Sequence, residues 1–584
     1  MVAARRAKVV WYGGEKLWCT KLVLQRLGTG QRGYWDAPWR AKGQGLVFSH
    51  ALVEYAVVSV LMSYLTQQWK ASLPKAAAVV NVNESLTSIM AIVSSHISDA
   101  YLGRFKMLLF TNAAYTIGLV LLYISGSKVA VFYMALPLIM LGKVGREPHL
   151  KAFFADQFKA QDDNDERAEY RRKTWWRSFG FLGILVATFA LPNFWPNILK
   201  ISASLMGATY VMFLCGYSFY KCIEPTESPL TLVFRVFVAA TLKRRLEFPG
   251  HVMLPRTRWL YKAVLEEEGN KGRLFTITQV EEATHLLEMI PMWTTFLVYG
   301  LVKSTGSTFF IEQAEYVNGY IGNIEVGATF LIVIKSISSF AISFMFELLV
   351  PQRLTESQPR YATRLRIKLT ESQRRYATHL RIGVGMLFSI FSCVTAWRVE
   401  ARRLQAINAI SILWLAPQFC LLGVMEGFAE NGLMAFFSNQ VSESMENYGP
   451  PFNECVIGIG SLLSVLSVHL FRDLFGENVD ESRLDKYYRN LVIFSFTNLV
   501  LYCFISSRYQ YEEVLEVELT EVVEEGEVEK EAAEIKEVVE EEVTEIIEVV
   551  EEGELTEEAE VVKEGEVAKV RKVVEEEEIV EAAV

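Results

Sequence analysis

Long apolar runs separated by short polar connections dominate the first five hundred residues. "LVFSHALVEYAVVSVLMSYL", "MLLFTNAAYTIGLVLLYI", "FLGILVATFALPNFW", "ISASLMGATYVMFLCGY" and "NLVIFSFTNLVLYCFI" are the clearest. A helix needs about 20 apolar residues to cross roughly 30 Å of hydrocarbon. Twelve such runs are predicted, at 46–66, 77–98, 106–125, 129–152, 176–194, 199–219, 287–306, 324–349, 381–397, 408–436, 452–471 and 490–506. A buried core helix of a soluble protein explains any single run but not twelve in succession.

Composition sharpens this picture once the chain is divided. Tyr511 to Val584 holds 30 Glu, no Asp and 6 Lys/Arg, a net charge of −24. The whole chain carries −10, so the remainder carries +14. Basic residues concentrate on the even-numbered connections: six from Lys159 to Arg177, ten in 221–280 and eight from Arg353 to Arg381. By the positive-inside rule these connections and both termini are expected to be cytoplasmic. The N-terminus, "MVAARRAKVVWYGGEKLW", has no apolar h-region, so the first span is expected to act as its own insertion signal.

The predicted organisation is a cytoplasmic N-terminal segment (1–45), an N-terminal six-helix bundle (46–220), a cytoplasmic linker (221–286), a C-terminal six-helix bundle (287–507) and an acidic tail (508–584). Within it, "LTESQPRYATRLRI" (354–367) recurs as "LTESQRRYATHLRI" (369–382), identical at 12 of 14 positions. This tandem duplication lengthens the basic 353–381 loop, and it suits contact with anionic lipid. The tail has no aromatic residue after Tyr511 and repels itself, which favours disorder or a solvated helix and offers a surface for a protein partner.

Several stretches resemble one family. "NVNESLTSIMAIVSSHISDAYLGRF", "FFADQF", "FTITQVEEATHLLEMIPMW", "STFFIEQ", "LRIGVG" and "WLAPQFCLLGVMEGFAENGLMAFFSNQ" follow the order of landmarks in the plant nitrate/peptide transporter family. That family lies within the proton-coupled oligopeptide transporters of the major facilitator superfamily, and the resemblance covers roughly residues 40–507. It implies an all-α membrane protein with twelve transmembrane helices in two six-helix bundles around a substrate cavity. It also implies alternating access for an anion, a small peptide or another small organic solute. A plasma-membrane or vacuolar-membrane protein is expected. "SDAYLGRFK" resembles the superfamily's loop between spans 2 and 3, with Asp99, Gly103 and Arg104 as a cytoplasmic gate motif.

Charges inside spans carry the chemistry, because a charge in hydrocarbon costs about 2.5–3.5 kcal/mol on insertion scales and usually borders a wet cavity. In "GKVGREPHLKAFFADQF" the resemblance places Glu147 where the family has a cavity lysine, with Pro148 retained. Glu426 in "GVMEGFAEN" falls on the family's tenth-span glutamate, and Lys303 in "YGLVKSTGSTFFIEQ" stands where nitrate carriers have a histidine. Lys303 is expected to pair with Glu426 or Glu147; a local pair of Glu147 with Lys151, four residues on, is the competing arrangement. The family's proton-coupling ExxE[R/K] maps onto Val47, His50 and Ala51, so the signature is missing. Proton symport is thereby in question, and His50 and Glu54 are the remaining candidates for proton coupling.

An enzyme is not expected: there is no P-loop, no GxSxG, and no GxGxxG after a strand. Seven scattered cysteines and seven histidines show no metal spacing, and no cofactor or nucleic-acid partner is indicated. The expected partners are a small-molecule substrate, protons and the bilayer. The alternative to a transporter is a transporter-like membrane protein that senses or scaffolds, suggested by the lost signature, the duplicated loop and the tail.

Overall fold

The computed structural model describes residues 38–126, 128–159, 166–191, 194–217, 228–245, 259–264, 275–349, 371–441 and 448–509, with isolated positions 220, 222, 225 and 445. The acidic tail from residue 510 and the first copy of the duplicated segment lie outside the described residues. The second copy opens the helix Glu371–Gln405.

Helices follow the apolar runs. Among the described residues ten are long and apolar enough to cross a membrane: Gly45–Gln67, Leu73–Leu102, Arg104–Ser125, Trp195–Leu214, Ile277–Tyr316, Ala328–Phe346, Arg375–Gln405, Ile412–Gln440, Gly449–Leu470 and Leu484–Tyr509. Two shorter apolar stretches, Val129–Val144 and Ser178–Phe189, stand at the fourth and fifth predicted positions. Numbered in chain order, these are spans 1 to 12. Span 4 does not stop at Val144. It runs on as a π-helical turn, Gly145–Leu150, and then as Lys151–Lys159.

The predicted linker, 221–286, contains a helix, Pro229–Leu242. The helical run of span 7 starts at Ile277, ten residues ahead of the predicted boundary, where Thr276 and Gln279 form a capping box. The Thr276 hydroxyl accepts from the Gln279 amide, and the Gln279 side chain accepts from the Thr276 amide 3.1 Å away. Two orphan donors of the first turn are thereby satisfied. A small hairpin, Tyr320–Ile321 with Ile324–Glu325, turns at Gly322 between spans 7 and 8.

Small residues let the spans approach closely. A Cβ on Gly300 of span 7 would sit 2.3 Å from the Ile457 carbonyl oxygen of span 11. One on Gly460 would sit 2.5 Å from that of Leu297. The two backbones are in van der Waals contact, which is the main attraction available between helices where lipid is as apolar as the side chains. At one end of the second bundle, fully buried Glu400 accepts both Arg403 Nε and Nη2 at 2.9 Å, and Gln313 Nε2 at 2.6 Å. Arg403 also reaches Asp480. Spans 7 and 9 and the connection before span 12 are thus fixed by a satisfied charged network rather than by a bare buried acid.

Substituting Gly300→Val is expected to destabilise the protein by about 3 kcal/mol through overpacking. Thermal unfolding of the detergent-purified protein checks this, and an unchanged melting temperature would show that the spans 7–11 contact is not tight.

Candidate functional site

Among the described residues three carboxylate–lysine pairs lie inside the spans. In the first bundle, Glu54 of span 1 meets Lys143 of span 4 at 3.1 Å. In the second, Lys335 of span 8 meets Glu426 of span 10 at 3.1 Å. Lys303 of span 7 pairs with Glu430 of span 10, whose carboxylate also accepts the Tyr299 hydroxyl at 3.0 Å. Glu426 and Glu430 are one helical turn apart and therefore share a face of span 10. The sequence expectation gave Lys303 to Glu426 or Glu147. The structure gives it to Glu430 and gives Glu426 to Lys335. Glu426 remains within electrostatic reach of Lys303.

These groups converge between the bundles. Glu454 of span 11 is close enough to act electrostatically on both Lys143 and Lys303, one cation from each bundle. Glu84 of span 2 acts on Lys143 and accepts a hydrogen bond from Ser307 of span 7 at 3.2 Å. Tyr55, the neighbour of Glu54, lies 3.3 Å from Ser336, the neighbour of Lys335. Three cations and their carboxylates from both halves of the molecule therefore face one another.

Local backbone departs from the α-helix where these charges sit. Glu54–Val58 and Gly145–Leu150 are both π-helical. A π turn adds a residue to the helix and re-aims the side chains around it, which is why such turns gather at working sites. Here they flank the Glu54–Lys143 pair on both helices. Glu147 lies in the second π turn, and its side chain is outside the described residues. Lys151, its expected local partner, is exposed.

His50 lies one turn before Glu54 and within its electrostatic reach, but its hydrogen bond goes elsewhere. It is 1% exposed and its Nε2 lies 2.7 Å from Asn112 Oδ1 of span 3, inside the first bundle. Glu54 is half-buried and faces Lys143. Of the two proton-coupling candidates, only Glu54 is thus part of the charged group.

The gate motif forms a second cluster. A third π turn, Ser98–Leu102, carries Asp99 and ends at Gly103, whose φ of 77° favours glycine. Arg104 Nη1 sits 2.6 Å from Asp156 at the end of the fourth helix, and its Nε lies 3.9 Å from Asp99. Asp156 is thus the closer partner, although the motif pointed to Asp99. Asp99 also lies within reach of the hydroxyl of Tyr448, which precedes span 11. Tyr448 Oη lies 2.8 Å from Ser228 Oγ, and that oxygen lies 3.1 Å from His96 Nδ1. At the opposite end the bundles meet again: Thr66 donates to Glu312 at 3.0 Å, and Gln67 donates to Glu315 at 2.6 Å.

Sequence reasoning passed over Lys143, Lys335 and Glu430. Lys335 carried a signal, as a lone cation within the apolar run "FLIVIKSISSF". Glu430 carried another, four residues after Glu426. Lys143 stands in the same stretch as Glu147, four residues earlier. Among the described residues no group of three His, Cys, Asp or Glu side chains is arranged to hold a metal ion.

Comparison with known proteins gives the family and the fold. The chain matches the POT family (PTR2) over residues 105–474. It is 30% identical over 569 residues to the protein NRT1/PTR family 5.6 of Arabidopsis thaliana, covering 86% of this chain and 96% of that one. It is 29% identical over 538 residues to NRT1/PTR family 5.7 of the same plant, covering 80% and 88%. Its fold is similar to the crystal structure of the POT family transporter PepTSo, with a TM-score of 0.61 at 15% identity over 82% of this chain and 99% of that one. It is also similar to a POT family transporter solved with 5-aminolevulinic acid, with a TM-score of 0.59 at 12% identity over 82% and 98%. The long apolar helices, their order and these likenesses lead to one conclusion: this multi-pass membrane protein belongs to the POT family of transporters, among whose members are the plant NRT1/PTR proteins.

Proposed function

We propose that the chain carries a small charged organic solute, an anion or short peptide among them, by alternating access, with the three Lys–Glu pairs as its binding group. The observation that supports this is the convergence of Lys143 and Lys303, from different bundles, on the one carboxylate of Glu454. An arriving carboxylate or other anion exchanges for Glu430 at Lys303 or for Glu54 at Lys143. The displaced carboxylate then accepts an ammonium group of the solute or a proton. Such an exchange changes contacts across the gap between the bundles, and only an interaction that differs between two states can shift their balance. The solved relative with 5-aminolevulinic acid, which carries both an amine and a carboxylate, fits a site of this kind.

In this reading the Gly103 end faces the cytoplasm, as its basic connections require. The Asp99–Tyr448 contact closes that end, and the Thr66–Glu312 and Gln67–Glu315 contacts close the other. These are single hydrogen bonds, cheap to break in turn. The named ion pairs each lie within one bundle, so rocking of the bundles does not itself break them, and only the arriving solute does. With ExxE[R/K] absent, we assign proton exchange to Glu54 and not to His50, whose ring is enclosed beside Asn112.

Uptake into proteoliposomes across a panel of organic anions, short peptides and amino acids tests the assignment. For the solute that wild type moves, Lys303→Ala and Glu430→Gln are each expected to cut uptake on the order of a hundredfold, the loss expected when one partner of a buried pair is removed. Unchanged uptake in both would end the binding role. If no solute moves while the acidic tail retains a protein, the sensing alternative replaces transport.

Glu54→Gln leaves Lys143 without this carboxylate and is expected to lower both stability and uptake. The double variant Glu54→Gln, Lys143→Met removes both charges and is expected to restore the melting temperature but not uptake. Uptake restored along with stability would make the pair purely structural.

A further inference from the structure

We infer that the helix joining the two bundles is a docking element for anionic phospholipid. The helix Pro229–Leu242, "PLTLVFRVFVAATL", is 14 residues long. At 1.5 Å per residue it reaches about 21 Å, too short for roughly 30 Å of hydrocarbon. An apolar helix of that length is a core helix or one that lies along the membrane surface.

Its two faces decide between these. Val233, Val236 and Ala240 are buried against the protein. The opposite stripe presents Phe234, Val238 and Leu242, spaced four residues apart and 68%, 40% and 78% exposed. An apolar stripe left this open is costly in water and calls for a cover.

Charge selects the cover. Arg244 is exposed just past the helix end. Lys243 Nζ donates to the Ala263 carbonyl at 3.1 Å, and Lys262 Nζ donates to the Arg244 carbonyl at 2.6 Å. Backbone carbonyls hold these ammonium groups in place beside Arg244. Trp259 is half-exposed beside them, its ring centroid 5.9 Å from that of Phe237. Apolar side chains, clustered cations and a tryptophan at one edge are what a helix needs to seat at the boundary of acyl chains and anionic headgroups.

Position favours the same occupant over a second protein. The residue capping the helix, Ser228, bonds His96 near the end of span 2 and Tyr448 at the start of span 11. The helix therefore leaves the bundles at the level where the spans end, beside the headgroups. Because Tyr448 also holds Asp99, a helix pinned to lipid steadies the closed Gly103 end. Placing this lipid in the cytoplasmic leaflet rests on the orientation proposed above. The lipid contact itself does not.

Hydrogen–deuterium exchange of the full-length protein in nanodiscs tests the contact with both membrane faces accessible, so a wrong orientation does not affect it. Replacing about one-third of the phosphatidylcholine by phosphatidylserine is expected to slow exchange in 229–245 about tenfold. Charge reversal by Arg244→Glu with Lys262→Glu is expected to abolish that slowing and leave the spans' exchange as in wild type. Equal exchange in the two lipids would overturn the proposal, as would slowing that survives charge reversal. Protection that instead follows protein concentration in detergent would show that a second copy covers the stripe.

Discussion

The cost of holding charge in hydrocarbon governs this molecule. Lysine and glutamate side chains within the spans persist only where each finds a partner and where water, not lipid, lies beyond the pair. Glu54–Lys143, Lys303–Glu430 and Lys335–Glu426 meet the first condition directly. Their convergence from six different contributions on five spans, with Glu84 and Glu454 close by, is how the fold meets the second. The same pairing logic explains the buried Glu400–Arg403 network, which has no role in the central group. There a charge is retained to lock helix ends, and both its oxygens accept hydrogen bonds.

A division of labour follows between strong and weak contacts. Close backbone packing at Gly300 and Gly460 and the named ion pairs hold each bundle as a unit. Between the bundles, side chains meet at either end through Tyr448, Thr66 and Gln67, and spans 2 and 11 pack closely, with Gly458 against Ser88 and Asn81 donating to Ser464 at 3.2 Å. A hydrogen bond to a carboxylate contributes about 1.5–3 kcal/mol, so in the proposed reading opening one end while closing the other exchanges terms of similar size. Solute binding at the central pairs is proposed to tip that balance.

Much of the fold was readable because hydrocarbon imposes a length and a composition on every segment that crosses it. All twelve predicted runs coincide with apolar helices, with differences at the ends, where capping at Thr276 and the π turn after Val144 extend the helices. The linker helix Pro229–Leu242 was missed because attention to its basic residues hid a short apolar run between them. The site was legible as a set of charges but not as a set of pairs. Which lysine meets which glutamate depends on helix rotation and on π turns that shift the face by one residue. Those turns are set by packing between spans, not by local propensity. Lys303 was singled out, yet its partner Glu430 lay one turn beyond the glutamate that the family pattern marks. Arg104 shows the same effect: the motif suggested Asp99, while the fold brought Asp156 nearer.

The central claim is that the paired charges border one aqueous space that opens to alternate sides. Single cysteines at positions 143, 303, 335 and 430, placed in a background lacking the native cysteines, test it with a membrane-impermeant thiol reagent. Applied from each side in turn, with and without transported solute, the reagent should label all four positions, and solute should slow labelling from one side while speeding it from the other. Positions sealed from the reagent on both sides under every condition would contradict the account.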